Sequence, residues 1–307
     1  MSVLFYGHGS QAVIFTKQTS YNTNMKKSIT PCLWFNNQAK EAATLYCAAF
    51  KQTKISMQSP IVTEIDAAGQ KFILLDGGPM YTPNASISFY YICETAEELD
   101  VAWNILSKEG SILMPLDTYP WSTRYGWITD KFGISWQLAV GKISDVGQKI
   151  TPCFLFTGKL YGKADEAIEL YASIFENTAV DGILRYTADE LPDTAGKVKH
   201  AQISLGGQKL MLMESAAADT VPFTEGVSLT VYCDTQEEID YFWEKFTESG
   251  EESMCGWLKD RFGVSWQIVP TMLGQVMSDP SKAGKAAKAF MSMRKLNIAQ
   301  IVQASIS

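Results

Sequence analysis

Gly126-Trp-Ile-Thr-Asp-Lys-Phe-Gly-Ile-Ser-Trp-Gln137 returns in the second half of the chain as Gly256-Trp-Leu-Lys-Asp-Arg-Phe-Gly-Val-Ser-Trp-Gln267. Working outward, the correspondence continues in order. Ile29-Thr-Pro-Cys-Leu-Trp-Phe35 matches Ile150-Thr-Pro-Cys-Phe-Leu-Phe156. Ala39-Lys-Glu-Ala-Ala-Thr-Leu-Tyr46 matches Ala164-Asp-Glu-Ala-Ile-Glu-Leu-Tyr171. Gly69-Gln-Lys71 matches Gly207-Gln-Lys209, and Thr95-Ala-Glu-Glu98 matches Thr235-Gln-Glu-Glu238. An ordered series of this kind is the mark of an internal duplication. Residues 29–140 and 150–270 are two copies of one domain.

Each copy reads as strand, helix and strands, twice over. A β-rich run (29–35, 150–156) leads into a helix whose apolar residues recur at helical spacing: Ala42, Leu45, Tyr46 and Ala49, then Ala167, Leu170, Tyr171 and Ile174. Strands ending at 72–75 and 210–213 follow, and a strand at 87–93 or 227–233 opens the second half of each copy. The next helix starts on a capping box, Thr95 to Glu98 and Thr235 to Glu238. Gly110 and Gly250 are predicted to end it in the left-handed conformation. Strands at 134–140 and 264–269 close the copies. Residues 1–28 form an N-terminal extension, either disordered or an ordered arm, and 141–149 form a polar linker. The tail, 271–307, is predicted to carry a helix around 282–295 with a basic, solvated face.

The 307 residues are 46% hydrophobic and 19% charged, which suits two soluble cores. A formal net charge of −7 argues against nucleic-acid partners, which require a basic face. No apolar run reaches the length of a membrane span, and the N-terminus lacks a signal-peptide pattern, so a cytoplasmic location is expected. None of the six cysteines form a CxxC pair, so zinc spacing is absent and reduced thiols are expected.

The terminal Phe-Gly-Val-Ser-Trp-Gln motif, with Ile150-Thr-Pro152 and Ala164-Asp-Glu-Ala167, resembles the PhnB-like family often labelled 3-demethylubiquinone-9 3-methyltransferase. That family lies in the vicinal-oxygen-chelate (glyoxalase/bleomycin-resistance) superfamily. The resemblance implies an α+β fold: tandem glyoxalase-like domains, each of two βαβββ modules forming an incomplete barrel around a cavity. It also implies, for metal-dependent relatives, a divalent ion held by two histidines and two glutamates from strands. Carried onto this chain, the histidine positions fall near Pro31, Pro152, Ser88 and Ser228, and the glutamate positions near Leu74 and Leu212 and on Gln137 and Gln267. Proline, serine and leucine offer no imidazole or carboxylate, and a lone amide is a weak ligand. No metal and no other cofactor is therefore expected. The methyltransferase label finds no support in Phe72-Ile-Leu-Leu-Asp-Gly-Gly78, since proline rather than a helix follows and the second copy lacks the glycines.

The expected function is a metal-free protein binding a small, partly aromatic molecule, with enzymatic lyase, isomerase or methyltransferase activity as the alternative. Strand alternation puts Gln137 and Gln267 on the opposite face from Trp136 and Trp266; the resemblance implies that the glutamines point into the cavities and the tryptophans pack outward against a helix. Trp127 and Trp257, with Asp130 and Asp260, precede this strand; each aspartate either rims the cavity or bonds its own backbone in the turn. Arg124 lies in an aromatic segment, 111–125, present in full only in the first copy, and meets either an anionic ligand or an interface. The two histidines are His8, in the extension, and His200, which is either structural or a base. Cys255 would need a base to become a nucleophile. Intramolecular pairing of the copies predicts a monomer.

Overall fold

A computed structural model describes residues 29–306. The expected extension, with His8, lies outside the described residues. Module one comprises β1 (Ile29–Phe35), α1 (Ala39–Ala49), β2 (Thr53–Gln58), β3 (Val62–Ala67) and β4 (Gln70–Asp76). Module two comprises β5 (Ile87–Cys93), α2 (Ala96–Leu106), β6 (Ser111–Tyr119), β7 (Ser122–Thr129) and β8 (Ser135–Val140). The linker contains a short helix, α3 (Ile143–Val146). Module three repeats the first as β9 (Ile150–Phe156), α4 (Ala164–Ile174), β10 (Ala179–Arg185), β11 (Val198–Leu205) and β12 (Gln208–Glu214). Module four repeats the second as β13 (Val227–Cys233), α5 (Gln236–Thr247), β14 (Glu251–Glu252), β15 (Trp257–Lys259) and β16 (Ser265–Pro270).

The expected fold class holds: two eight-stranded mixed sheets, neither closed into a barrel, each with helices on one face. The modules that share a sheet, however, come from different copies. One sheet runs β14-β15-β16-β13-β1-β4-β3-β2 and the other β10-β11-β12-β9-β5-β8-β7-β6. The junctions are antiparallel, Cys32 opposite Ser228 in the first and Ser88 opposite Cys153 in the second. Each copy thus contributes one half to each sheet, and each inner face is built by both copies.

Alternation splits every strand between two faces. Leu33, Phe35, Phe72, Leu74, Phe154 and Leu212 turn toward the helices and are fully or almost fully buried. Trp136 and Trp266 join this side as expected; Trp136 lies 4.7 Å from Phe50 and Trp266 4.5 Å from Phe246, centroid to centroid. The helices bury the face their periodicity marks, with Ala42, Tyr46 and Ala49 of α1 and Ala167, Tyr171 and Ile174 of α4 fully or almost fully buried.

The capping boxes form: Thr95 Oγ1 accepts from Glu98 N at 3.2 Å, and Thr235 Oγ1 from Glu238 N at 3.3 Å. The glutamates reach one residue further back than expected, accepting from Glu94 N and Asp234 N. Gly110 and Gly250 are not left-handed; in the first copy Glu109 takes that role, at φ 63°. These glycines serve a close backbone approach instead. A Cβ would sit 2.3 Å from Thr129 O at Gly110 and 2.1 Å from Lys259 O at Gly250. The tail is also broken up. The helix expected over 282–295 runs only over Pro280–Phe290 (α7), between α6 (Leu273–Ser278) and α8 (Ile298–Ile306). No helix among the described residues is long and apolar enough to cross a membrane.

Candidate functional site

The face away from the helices carries a repeated set of polar side chains. In the second sheet, Cys153 of β9 is level with Ser88 of β5 and Met211 of β12, and Gln137 of β8 pairs with Tyr90 and Trp127. In the first sheet, Cys32 is level with Ser228 and Ile73, and Gln267 pairs with Thr230 and Trp257. Both sheets curl around this face. Strands three steps apart would be about 14 Å apart if flat. Instead Gln137 Nε2 reaches Met213 Sδ at 3.8 Å, and the Trp34 and Trp257 rings approach to 5.9 Å.

Gln137 is buried and fully oriented. Its Oε1 accepts from Tyr125 Oη at 2.7 Å, and its Nε2 donates to Ser88 Oγ at 2.8 Å. Gln267 Nε2 donates to Ser228 Oγ at 2.9 Å in the same way, but no tyrosine stands opposite. Cys32 and Cys153 sit beside these amides, and burial pushes their thiols up to about 11 and about 12. Both are therefore neutral thiols at pH 7. Trp127 Nε1 donates to Ser135 Oγ at 2.7 Å, fixing its ring on the inner face. The rings of Tyr119 and Trp121, from the longer β6–β7 hairpin, stack on each other and meet Tyr125 edge-on. The aromatic segment 111–125 thus sets these rings against Tyr125 at the edge of the sheet.

His200 shares the inner face, since it lies two residues before Gln202, which is level with Met211. Withdrawal from water pulls its pKa down to about 4, so the imidazole is neutral at pH 7. Gln137, Gln267, Trp127, Trp257 and His200 therefore all lie on the inner faces of the two sheets. The remaining candidates do not.

Asp130 and Asp260 belong to the core. Asp130 Oδ1 accepts from Phe132 N and Ile134 N at 2.9 and 3.0 Å, while Oδ2 accepts from Tyr46 Oη and Trp136 Nε1, both at 2.9 Å. Asp260 repeats this with Phe262, Val264, Tyr171 and Trp266. One oxygen closes the turn and the other ties the first helix of one module to the last strand of another. Arg124 alternates with the inward Tyr125 and so points outward, where it pairs with Asp100 of α2. Cys255 faces the tail: its N donates to Met293 O at 2.7 Å and its Sγ approaches Met291 O at 3.7 Å. Burial raises its thiol pKa, and no base adjoins it.

Among the described residues, no cluster of three or more His, Cys, Asp or Glu side chains could hold a metal ion. The positions expected near Pro31, Pro152, Leu74 and Leu212 turn toward the helices; their inward neighbours are Thr30 and Cys32, Thr151 and Cys153, Ile73 and Leu75, and Met211 and Met213. Together with Ser88, Ser228, Gln137 and Gln267 these do not fit a divalent ion of the glyoxalase kind. The stretch Phe72–Gly78 does not fit S-adenosylmethionine either. It runs into a loop and β5, and Gly77 serves Trp34, whose ring a Cβ there would approach to 2.2 Å. The sequence reading missed Ser88, Cys153 and Tyr125 as a unit: strand register within module two joins Ser88 and Tyr125 through Gln137, and the cross-copy junction adds Cys153.

Comparison with known proteins agrees with this layout. The family model described as 3-demethylubiquinone-9 3-methyltransferase matches residues 27–139 and 148–269. A solved protein described as a putative 3-demethylubiquinone-9 3-methyltransferase, PhnB protein, from Bacillus cereus is 35% identical. The match covers 36% of this chain and 98% of that one, with a TM-score of 0.34. Glyoxalase I from Zea mays is 13% identical with a TM-score of 0.53, covering 83% of this chain and 97% of that one, a likeness of fold. No curated protein matches. Matched in both copies over most of its length, the chain belongs to the 3-demethylubiquinone-9 3-methyltransferase family, within the vicinal-oxygen-chelate fold.

Proposed function

We propose that the chain is a metal-independent small-molecule-binding protein whose principal ligand lies on the inner face lined by Gln137. The observation that carries this reading is the Gln137 amide, held by Tyr125 and Ser88 where a metal-dependent relative would place a carboxylate. An oriented amide offers a donor and an acceptor without ionising. Tyr90, Tyr125 and Trp127 supply ring surface, and His200 adds no charge at pH 7. The ligand class is a small, uncharged, partly aromatic molecule bearing a carbonyl or hydroxyl. Acetophenone titrated into EDTA-dialysed protein, read by tryptophan fluorescence, tests this. Saturable quenching that weakens about tenfold in Gln137→Leu is expected, corresponding to the loss of a hydrogen bond worth about 1.4 kcal/mol. Quenching that requires added metal, or that Gln137→Leu leaves unchanged, removes the reading.

A second reading, an enzyme that moves a proton on the bound ligand, is favoured by His200 alone, a neutral imidazole on the same inner face. Methyl transfer, suggested by the family description, requires S-adenosylmethionine binding, and heat on titration of that cofactor into the protein would support it. Because the two copies already complete each other's sheets, the chain is proposed to act as a monomer, checked by light scattering. A reducing, cytoplasmic location is proposed, in keeping with six cysteines that form no CxxC pair.

A further inference from the structure

The two inner faces differ at matched positions, and the differences share one chemical sense. Glu64 stands on β3 where Gln202 stands on β11, and Trp34 stands on β1 where Leu155 stands on β9. Trp127 is tethered to Ser135, whereas its counterpart Trp257 leaves Ser265 and meets Trp34 edge-to-face at 5.9 Å and 76°. Tyr81 approaches the other side of this corner, 4.9 Å from Trp34 at 79°. Trp34 itself is fixed, since its Nε1 donates to Gly78 O at 2.7 Å and its ring lies against Gly77. Two ring pairs, each near perpendicular, thus meet at Trp34.

Glu64 is half-buried on the same face and has no ion pair among the described residues; it acts electrostatically on the Tyr232 hydroxyl. Of the lysines on that face, Lys259 pairs with Glu225 at 2.9 Å, and Lys54 and Lys71 are exposed, each opposite Asp66. Two hydroxyls on this face, Thr230 Oγ1 and Ser265 Oγ, are buried without a hydrogen-bond partner among the described residues. Buried polar atoms of that kind are ordinarily satisfied, so their vacancy marks a place for a polar ligand group.

We infer that the inner face of the β1–β4/β13–β16 sheet is a second site that binds a small organic monocation, an alkylammonium bearing a hydroxyl. The corner of Trp34, Trp257 and Tyr81 receives the cationic head, Glu64 supplies the counter-charge, and Thr230 and Ser265 take the hydroxyl. This rests on the reading of the inner faces as ligand sites, and it assigns the two faces different ligand classes. Rings of this type attract a desolvated cation through their quadrupoles.

The test uses the full chain with two probes of equal shape, choline and its uncharged isostere 3,3-dimethyl-1-butanol, measured by calorimetry. Choline should bind at least about tenfold more tightly than the isostere. Glu64→Gln should remove most of that preference. The indole N–H resonances of Trp34 and Trp257 should shift on adding choline, and that of Trp127 should not. If Glu64→Gln does not fold, the two probes on the unmodified chain decide the matter alone. Absence of choline binding, equal affinity for the two probes, or shifts at Trp127 only would overturn the inference. Each of those results leaves acetophenone binding at the Gln137 face intact, whereas loss of acetophenone binding alone counts against the reading it rests on.

Discussion

Replacing Asp260 by asparagine tests the core lock that the repeated motif encodes. The asparagine Oδ1 can keep the bonds from Phe262 N and Val264 N, now at 2.9 and 3.1 Å. Its Nδ2 then faces Tyr171 Oη and Trp266 Nε1, which donate to the present carboxylate at 2.9 and 3.0 Å. The tyrosine hydroxyl can rotate and accept; the indole N–H cannot. Three bonds weaken from charge-assisted to neutral, roughly 1 kcal/mol each. Relief from burying a charge offsets this by an amount of similar order, consistent with the carboxyl pKa being pushed up by burial. What remains is one stranded, buried N–H, a cost of about 1–3 kcal/mol. The assay is a double-mutant cycle with Trp266→Phe, read by urea unfolding. In the phenylalanine background there is no N–H to strand, so Asp260→Asn should cost about 1–3 kcal/mol less there than in the parent. Acetophenone and choline binding should be unchanged in Asp260→Asn, since the carboxylate faces away from both cavities. Additive costs, within about 0.5 kcal/mol, would refute the assignment of the motif to this lock.

Two further outcomes follow from the same coordinates. His200 titrates near 6.5 when unfolded and at about 4 when folded, so between those values the unfolded chain holds the extra proton. Its contribution to stability is present above about pH 6.5 and is lost as pH falls toward 4, with a slope up to about 1.4 kcal/mol per pH unit. Urea unfolding of the parent and of His200→Leu from pH 7 to 4 should show a difference of that slope; parallel curves would place His200 in water. Separately, a fragment spanning residues 27–141 holds one half of each sheet and cannot complete either alone. It should be found by light scattering as a dimer that rebuilds both junctions, or as unfolded chain; a folded monomer would contradict the cross-copy topology.

The duplication, the strand–helix order and the inward direction of Gln137 and Gln267 were legible because alternation and helical spacing act within a few residues. Cross-copy pairing was not. Ile29–Phe35 can in principle pair with any antiparallel neighbour of matching pattern, and choosing Val227–Cys233 over Ile87–Cys93 is a long-range decision. Asp130 and Asp260 read either as rim residues or as turn residues bonding their own backbone; one oxygen does the latter, and the second is captured by a tyrosine on another element. Arg124 stayed open between a ligand and an interface for want of the register that turns its neighbour Tyr125 inward. Cys255 is held by a tail whose docking no local pattern announces. Glu64 and Trp34 gave no signal of their own, since their meaning emerges only when matched positions in the two sheets are compared.

The inner faces are proposed to work with amides, hydroxyls and rings in place of metal ligands, and native mass spectrometry of protein purified without chelators checks this. The expected mass is that of the 34.0 kDa chain with no divalent ion bound, before and after dialysis against zinc, nickel or manganese. One or two tightly held ions per chain, lost in Gln137→Leu or Gln267→Leu, would contradict it.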